Sequence, residues 1–130
     1  MKLKAATRED ILQCVGVTKY FGGLAAVKDV SFKLREKEIL GLIGPNGAGK
    51  TTLFNLISGV YPVTSGKIYL YGREITGLEA YEICHLGIGR TFQVVRPFLK
   101  LTALENVATG ILFGKDKPKG LKKACDEAIN

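Results

Sequence analysis

The stretch GLIGPNGAGKTTLFNLISG, residues 41–59, constrains the fold of this chain more than any other. It holds Gly41, Gly44, Gly47 and Gly49, then a lysine, two threonines and an apolar run. Glycines this dense cost backbone entropy in any regular element, so something there requires a bare backbone. Just before the loop, EILGLIG (38–44) is a nearly continuous apolar run, the pattern of a strand buried on both faces. Just after it, Leu53, Leu56 and Ile57 fall at helical spacing, and Gly59 is placed to stop the helix. A buried strand, a bare loop and an amphipathic helix, in that order, predict an α/β architecture.

The loop also carries a chemistry. Gly44, Pro45, Asn46, Gly47, Ala48, Gly49, Lys50 and Thr51 fit the phosphate-loop pattern G-x-x-x-x-G-K-[ST] in full. A phosphate needs a concave set of backbone N–H donors, and side chains would block its approach. The loop opens into a helix, whose first N–H groups and dipole favour an anion. Lys50 is placed to reach the β- and γ-phosphates, the Thr51 hydroxyl to hold Mg²⁺, and Thr52 to offer a second hydroxyl near the α-phosphate. A dinucleotide fingerprint does not fit elsewhere: Gly87-Ile88-Gly89 lacks its third glycine, because Phe92 occupies that place.

The chain around the loop reads as strands first and helices later. ILQCVGV (11–17) reads as a strand. AAVKDVSFKL (25–34) alternates, with Val30, Phe32 and Leu34 on one face and Ser31, Lys33 and Arg35 on the other. Tyr61-Pro62 to Gly66 is a turn cluster, and KIYLYG (67–72) a further strand. LEAYEICHL (78–86) suits a short helix and GIGRTFQ (87–93) a strand running into a loop. Thr102 with Glu105 three residues on forms a capping box that starts a helix at ALENVATG. GKDKPKG (114–120) is a loop, and one last helical turn is expected after it. The strands of the first half are expected to pair antiparallel.

Composition narrows the class. Hydrophobic residues make up 46% and charged residues 24%, which excludes disordered and collagen-like chains. No apolar run approaches the roughly 20 residues of a membrane helix, and MKLKAATRED lacks the apolar stretch of a signal peptide, so a cytoplasmic protein is expected. The net charge of +7 includes a crowd of Lys115, Lys117, Lys119, Lys122 and Lys123. Without an aromatic-rich basic stripe, it reads as solvated surface and no nucleic-acid partner is expected. Cys14, Cys84 and Cys125 have no zinc or redox spacing, and Cys84-His85 cannot complete a tetrahedral site, so buried or idle thiols are expected.

The phosphate loop alone does not separate nucleotide enzymes. N-K-x-D and D-x-x-G, which a GTPase would show, are missing, and a nucleoside kinase would carry its loop nearer the N-terminus. FGGLAAVKDVSF, GPNGAGKTTLFNLISG, TSGKIYLYGREITG and RTFQ with LTALENV together resemble the ATP-binding subunit of ABC transporters. The run ITGLEAYEICHLGIGRTFQVVRPFLKLTALENV is most similar to the ATPase of bacterial branched-chain amino acid importers. The resemblance covers roughly residues 10–113 and implies a P-loop nucleoside triphosphate hydrolase of ABC-ATPase type: an antiparallel β subdomain, the first part of a parallel-sheet core, and the start of a helical subdomain. The division it implies is about 8–93 for the β subdomain and core, and about 94–130 for the start of the helical part.

The resemblance also implies site roles and partners. Phe21, just before Gly22, matches the aromatic that stacks on adenine, with Tyr20 beside it as a rival. Gln93, ending RTFQ, matches the glutamine that meets Mg²⁺ or the attacking water and links to the membrane subunit. Lys50 and Gln93 are thus the catalytic candidates, Thr51 and Gln93 the metal candidates, and ATP and Mg²⁺ the implied cofactors. The implied partners are membrane-spanning transporter subunits and a second ATPase subunit, homo- or heterodimeric, at the inner face of the cell membrane. A nucleotide-binding module without turnover, or a soluble ABC ATPase of DNA repair or translation, is the competing reading, and RTFQ followed by LTALENV favours the transporter.

The sequence departs from the family in its second half. A signature of LSGGQ type, a strand-end Asp, the catalytic Glu and a switch His do not occur, and His85 precedes Gln93, so it is not that switch. The chain is therefore expected to be the N-terminal portion of a longer subunit. Base and electrostatic contributions to phosphoryl transfer are each worth orders of magnitude. These 130 residues by themselves are expected to release phosphate from ATP barely above background. Steady-state phosphate release is the check, and turnover of about 1–10 per second would refute the expectation.

Overall fold

In the computed structural model, residues 10–94, 96–114 and 120–129 are described. Lys115, Lys117 and Lys119, and most of the loop expected over 114–120, lie outside them. The chain divides into two compact units, Met1–Glu79 and Ala80–Asn130.

The first unit is built on a hairpin. Strands β1 (Asp10–Phe21) and β2 (Leu24–Arg35) run antiparallel, joined by Gly22-Gly23, with Phe21 opposite Leu24 as the last pair. Two residues are the commonest hairpin connection, and Gly22 stands at φ 58°, an angle that suits glycine. The alternation in β2 is observed: Val30, Phe32 and Leu34 are half-buried while Ser31, Lys33 and Arg35 are exposed. On the other edge of β1 lies β3 (Ser65–Leu70), followed by the two-residue β4 (Arg73–Glu74), in the order β2-β1-β3-β4 with every pairing antiparallel. The register slips between Cys14 and Val17, so residues of odd separation both end up buried. Thr18, also buried, is satisfied there: its hydroxyl accepts the Asp29 N–H at 3.0 Å and donates to the Gly16 carbonyl at 3.3 Å. Cys14 is 1% exposed, and burial pushes its thiol up to about 12, so it stays protonated at neutral pH and is no nucleophile. Cys84 is exposed and Cys125 half-buried, and all three thiols are free.

Helix α1 (Lys50–Ile57) follows the phosphate loop and buries Leu53, Leu56 and Ile57, the three residues whose spacing marked it. Gly59 ends it at φ 71°, where its own N–H donates to the Leu56 carbonyl at 3.2 Å and the Val60 N–H to the Asn55 carbonyl at 2.9 Å. That pair of bonds is a Schellman stop, and the left-handed angle suits glycine. With Ile68, Leu70, Ile75, Cys14, Val17 and Val27, the buried face of α1 makes the core of this unit.

Two expectations are corrected. Residues 38–44 are neither a strand nor buried: Ile39 is 99% and Ile43 96% exposed. A strand buried on both faces needs parallel neighbours to take its hydrogen bonds and cover its side chains, and among the described residues no strand pairs with it. Residues 87–93 are likewise irregular, for the same lack of a neighbouring strand.

The second unit is helical. It holds α2 (Ala80–His85), α3 (Ala103–Phe113) and α4 (Leu121–Ile129), the last a nine-residue helix in place of the single turn expected. Ala108 of α3 and Ala124 of α4 are fully buried; small residues let packed helices approach closely. The capping box is present in full. Thr102 Oγ1 accepts the Glu105 N–H at 3.3 Å, and the Glu105 carboxylate accepts the Thr102 N–H at 2.7 Å and its hydroxyl at 2.8 Å. Those two bonds, the backbone one first, hold the Glu105 carboxyl below its ordinary range. The contribution of the box is thus complete above the ordinary carboxylate range and is lost as pH falls through the lowered value. Thr102→Ala is expected to cost about 1 kcal/mol at neutral pH. Denaturant melts of parent and variant at pH 7 and in acid check it, and the difference is expected to narrow in acid.

Candidate functional site

The loop 44–49 is exposed or half-exposed, is not paired in the sheet, and leads directly into α1. Gly47 and Gly49 stand at φ 82° and 81°, in the left-handed region. Gly49 is the helix N-cap, and no side chain caps it. Its role is also spatial: a Cβ added there would lie 2.2 Å from the Ala26 carbonyl oxygen of β2. The bare backbone thus lets the loop rest directly on β2. The first helical bond is Leu53 N–H to the Gly49 carbonyl at 2.8 Å, so the N–H groups of Lys50, Thr51 and Thr52 precede the ladder. Such groups, at the positive end of the helix dipole, are suited to an anion.

Lys50 folds back over its loop. Its ammonium donates to the Gly44 and Pro45 carbonyls, each at 2.6 Å. The loop therefore presents amides from its helix end and an ammonium tethered across its start, the donor set a polyphosphate requires. The Ala48 N–H donates to the Pro45 carbonyl at 3.2 Å, closing the turn through Asn46 and Gly47. Thr51 is exposed at the first turn and Thr52 half-buried beside it. Among the described residues no cluster of three or more His, Cys, Asp or Glu forms a metal cage. Magnesium commonly keeps several waters and binds through phosphate oxygens with few protein donors, and the exposed Thr51 hydroxyl at the first turn fits as such a donor.

Phe21 ends β1 in the same unit, 44% exposed. Its pairing partner Leu24 is two residues from Ala26, on which Gly49 rests. At the usual strand rise that is about 7 Å along β2. Gly49 thus rests on β2 two residues beyond the position opposite Phe21. Tyr20 is 40% exposed and pairs with Ala25, one residue back, so its side chain leaves the opposite face of the strand.

The composition of the Phe21 surroundings was not legible in the sequence. Tyr61 packs against Phe21 with ring centroids 5.4 Å apart and planes at 82°. The Lys19 ammonium lies 5.2 Å from the Phe21 centroid and donates to the Pro62 carbonyl at 2.7 Å. The Tyr20 N–H donates to Thr64 Oγ1 at 3.1 Å. The sequence marks Tyr61-Pro62 only as a turn; the β1–β3 pairing, with Thr18 opposite Ser65, brings that turn beside Phe21.

Gln93 lies in the second unit, exposed in the irregular segment that follows α2. Near it the Arg90 guanidinium covers the Phe92 ring at 4.6 Å. Farther along, Asn106 pins the chain before α3: its Oδ1 accepts the Phe98 N–H at 2.8 Å, and its Nδ2 donates to the Phe98, Leu101 and Thr102 carbonyls at 3.2, 3.2 and 2.9 Å. An asparagine early in a helix is the sequence signal for such a tie.

The sequence pattern of the ABC transporter family matches residues 27–130, from within β2 through the phosphate loop to the end. The chain belongs to the ABC transporter family. It is 43% identical to the high-affinity branched-chain amino acid transport ATP-binding protein LivG of Salmonella typhimurium, over 94% of this chain and 51% of that protein. It is 52% identical to the high-affinity branched-chain amino acid transport ATP-binding protein BraF of Pseudomonas aeruginosa, over 92% of this chain and 50% of that one. Among solved structures it is similar to a nucleotide-free ATP-binding cassette from an ABC transporter, with a TM-score of 0.72, 34% identity and coverage of 91% of this chain and 46% of that one. It is also similar to an ATP-binding cassette solved as a dimer in a post-hydrolysis state with ADP and Pi, with a TM-score of 0.77, 29% identity and coverage of 91% and 54%. The fold is thus that of an ABC ATPase cassette, and the chain spans about half the length of the curated relatives it matches. Among the described residues no helix is long and apolar enough to cross a membrane.

Gly49→Ala is expected to destabilise the chain by at least ~1–2 kcal/mol from the left-handed angle alone, with the clash against the Ala26 carbonyl added to it. A shift of the urea midpoint checks this, and a midpoint equal to that of the parent would contradict the close approach.

Proposed function

We propose that this chain is an ATP-binding part of the energy-coupling ATPase of an ABC importer, serving branched-chain amino acid uptake. The observation that carries the reading is the seating of the phosphate loop on β2, with Gly49 against Ala26, two residues along β2 from Leu24, the partner of Phe21.

In this reading Gly44, Pro45, Asn46, Gly47, Ala48 and Gly49 cradle the polyphosphate through their backbone. Lys50 leaves the Gly44 and Pro45 carbonyls to meet the β- and γ-phosphates, and Thr52 lies by the α-phosphate. The Thr51 hydroxyl and the Gln93 side-chain carbonyl are the protein's donors to Mg²⁺, which would neutralise charge on the phosphate oxygens when bound. Phe21 carries the adenine and Gln93 orients the attacking water. The names of the relatives, with their amino acid transport and ATP binding, support the substrate class. The proposed partners are membrane-spanning transporter subunits and a second ATPase subunit, which places the protein on the cytoplasmic face of the cell membrane. The dimeric state of one similar cassette supports the second of these.

Lys50→Ala removes a charge-assisted contact worth on the order of 1.5–3 kcal/mol. A roughly tenfold to hundredfold loss of ATP affinity is expected by titration calorimetry. Equal affinity in variant and parent would sink the role given to Lys50.

A further inference from the structure

We infer that Tyr61 is a positioning residue for Phe21, holding its ring as a pre-set stacking surface for a purine base, and that Lys19 fastens the Tyr61 turn to β1 for this purpose. The inference rests on the nucleotide reading above and adds which residues fix the base end of the site.

Phe21 stands at the turn end of the β1–β2 hairpin, where its ring is half in water. A side chain left to rotate there loses that freedom when a base lands on it, and the loss weakens binding. Tyr61 holds the ring beforehand. The two rings meet nearly perpendicular, at 82° and 5.4 Å, an arrangement the aromatic quadrupole favours beyond simple burial. Tyr61 is itself 39% exposed, so its place is to touch the ring more than to fill the core.

The turn that carries Tyr61 is tied to β1 at Pro62 and at Thr64. The Lys19 ammonium donates to the Pro62 carbonyl at 2.7 Å, the Thr64 N–H donates to the Thr18 carbonyl at 2.9 Å, and the Tyr20 N–H donates to Thr64 Oγ1 at 3.1 Å. The same ammonium lies 5.2 Å from the Phe21 centroid, within range for attraction to a ring face. One lysine thus links ring and turn. Three neighbours in sequence, Lys19, Tyr20 and Phe21, meet residues 61–64 forty or more positions later, and only Phe21 of the two aromatics is in ring contact with Tyr61.

The test separates base recognition from phosphate recognition. Titration calorimetry is run on the chain with magnesium ATP and with magnesium tripolyphosphate, which has no base. The parent is expected to bind ATP more tightly than tripolyphosphate. Tyr61→Ala is expected to weaken ATP binding about three- to tenfold and to leave tripolyphosphate binding unchanged. Tyr61→Phe keeps the ring contact and is expected to restore ATP affinity. Lys19→Met, which keeps the stem and removes the tie, is read by the same ratio and serves if the alanine variant does not fold. An unchanged ATP affinity in Tyr61→Ala, or an equal loss for both probes, would overturn the positioning role while leaving the phosphate loop intact. A parent that binds neither probe would overturn the nucleotide reading itself, and the positioning role with it.

Discussion

The contact on which the rest depends is the backbone of Gly49 pressed on the Ala26 carbonyl of β2. Any Cβ would stand inside that contact, so the loop can only lie there bare. Once it does, the direction of α1 is set, and Leu53, Leu56 and Ile57 turn into the core beside Val27, Ile68 and Leu70. Lys50 and Thr51 are then delivered to the solvent side of the first turn by the same geometry. Packing and chemistry are two faces of one helix: its apolar stripe anchors it, and its N-terminus is left for an anion.

The hairpin contributes the second fixed point. A two-residue turn leaves no slack between Phe21 and Leu24, so the aromatic at the end of β1 keeps its distance from the loop seated on β2. The sheet order puts β1 in the middle, and the turn before β3 returns to the tip of the hairpin. The tip of the hairpin thus takes its rigidity from strands that pair elsewhere for stability, the usual relation between loops and the scaffolds that hold them.

The second unit shows a different economy. Its ordered stretch before α3 rests on one asparagine with four bonds and on a reciprocal cap between Thr102 and Glu105. These are local, polar and water-exposed ties, each modest in net strength. Gln93 sits upstream of them in an irregular exposed segment.

Much of this was written in short-range pattern. Period-two alternation marked β2, apolar spacing and Gly59 marked α1 at both ends, and Thr102 with Glu105 marked the start of α3. The phosphate loop was legible residue by residue because its chemistry is local: spacing alone places amides, ammonium and hydroxyl together. The apolar run 38–44 and the segment 87–93 misled, because an apolar run states only that a segment favours burial. Burial as a strand depends on neighbours that no local pattern supplies. The surroundings of Phe21 were hidden for the same reason. Lys19, Tyr61 and Thr64 are ordinary residues in sequence, and only the antiparallel pairing of β1 with β3 brings them together. The sequence by itself determined the elements whose hydrogen bonds and apolar faces close within a few residues. The tertiary structure decided whatever required two distant segments to meet: the bare seat of Gly49 on Ala26, and the aromatic pair at the hairpin tip.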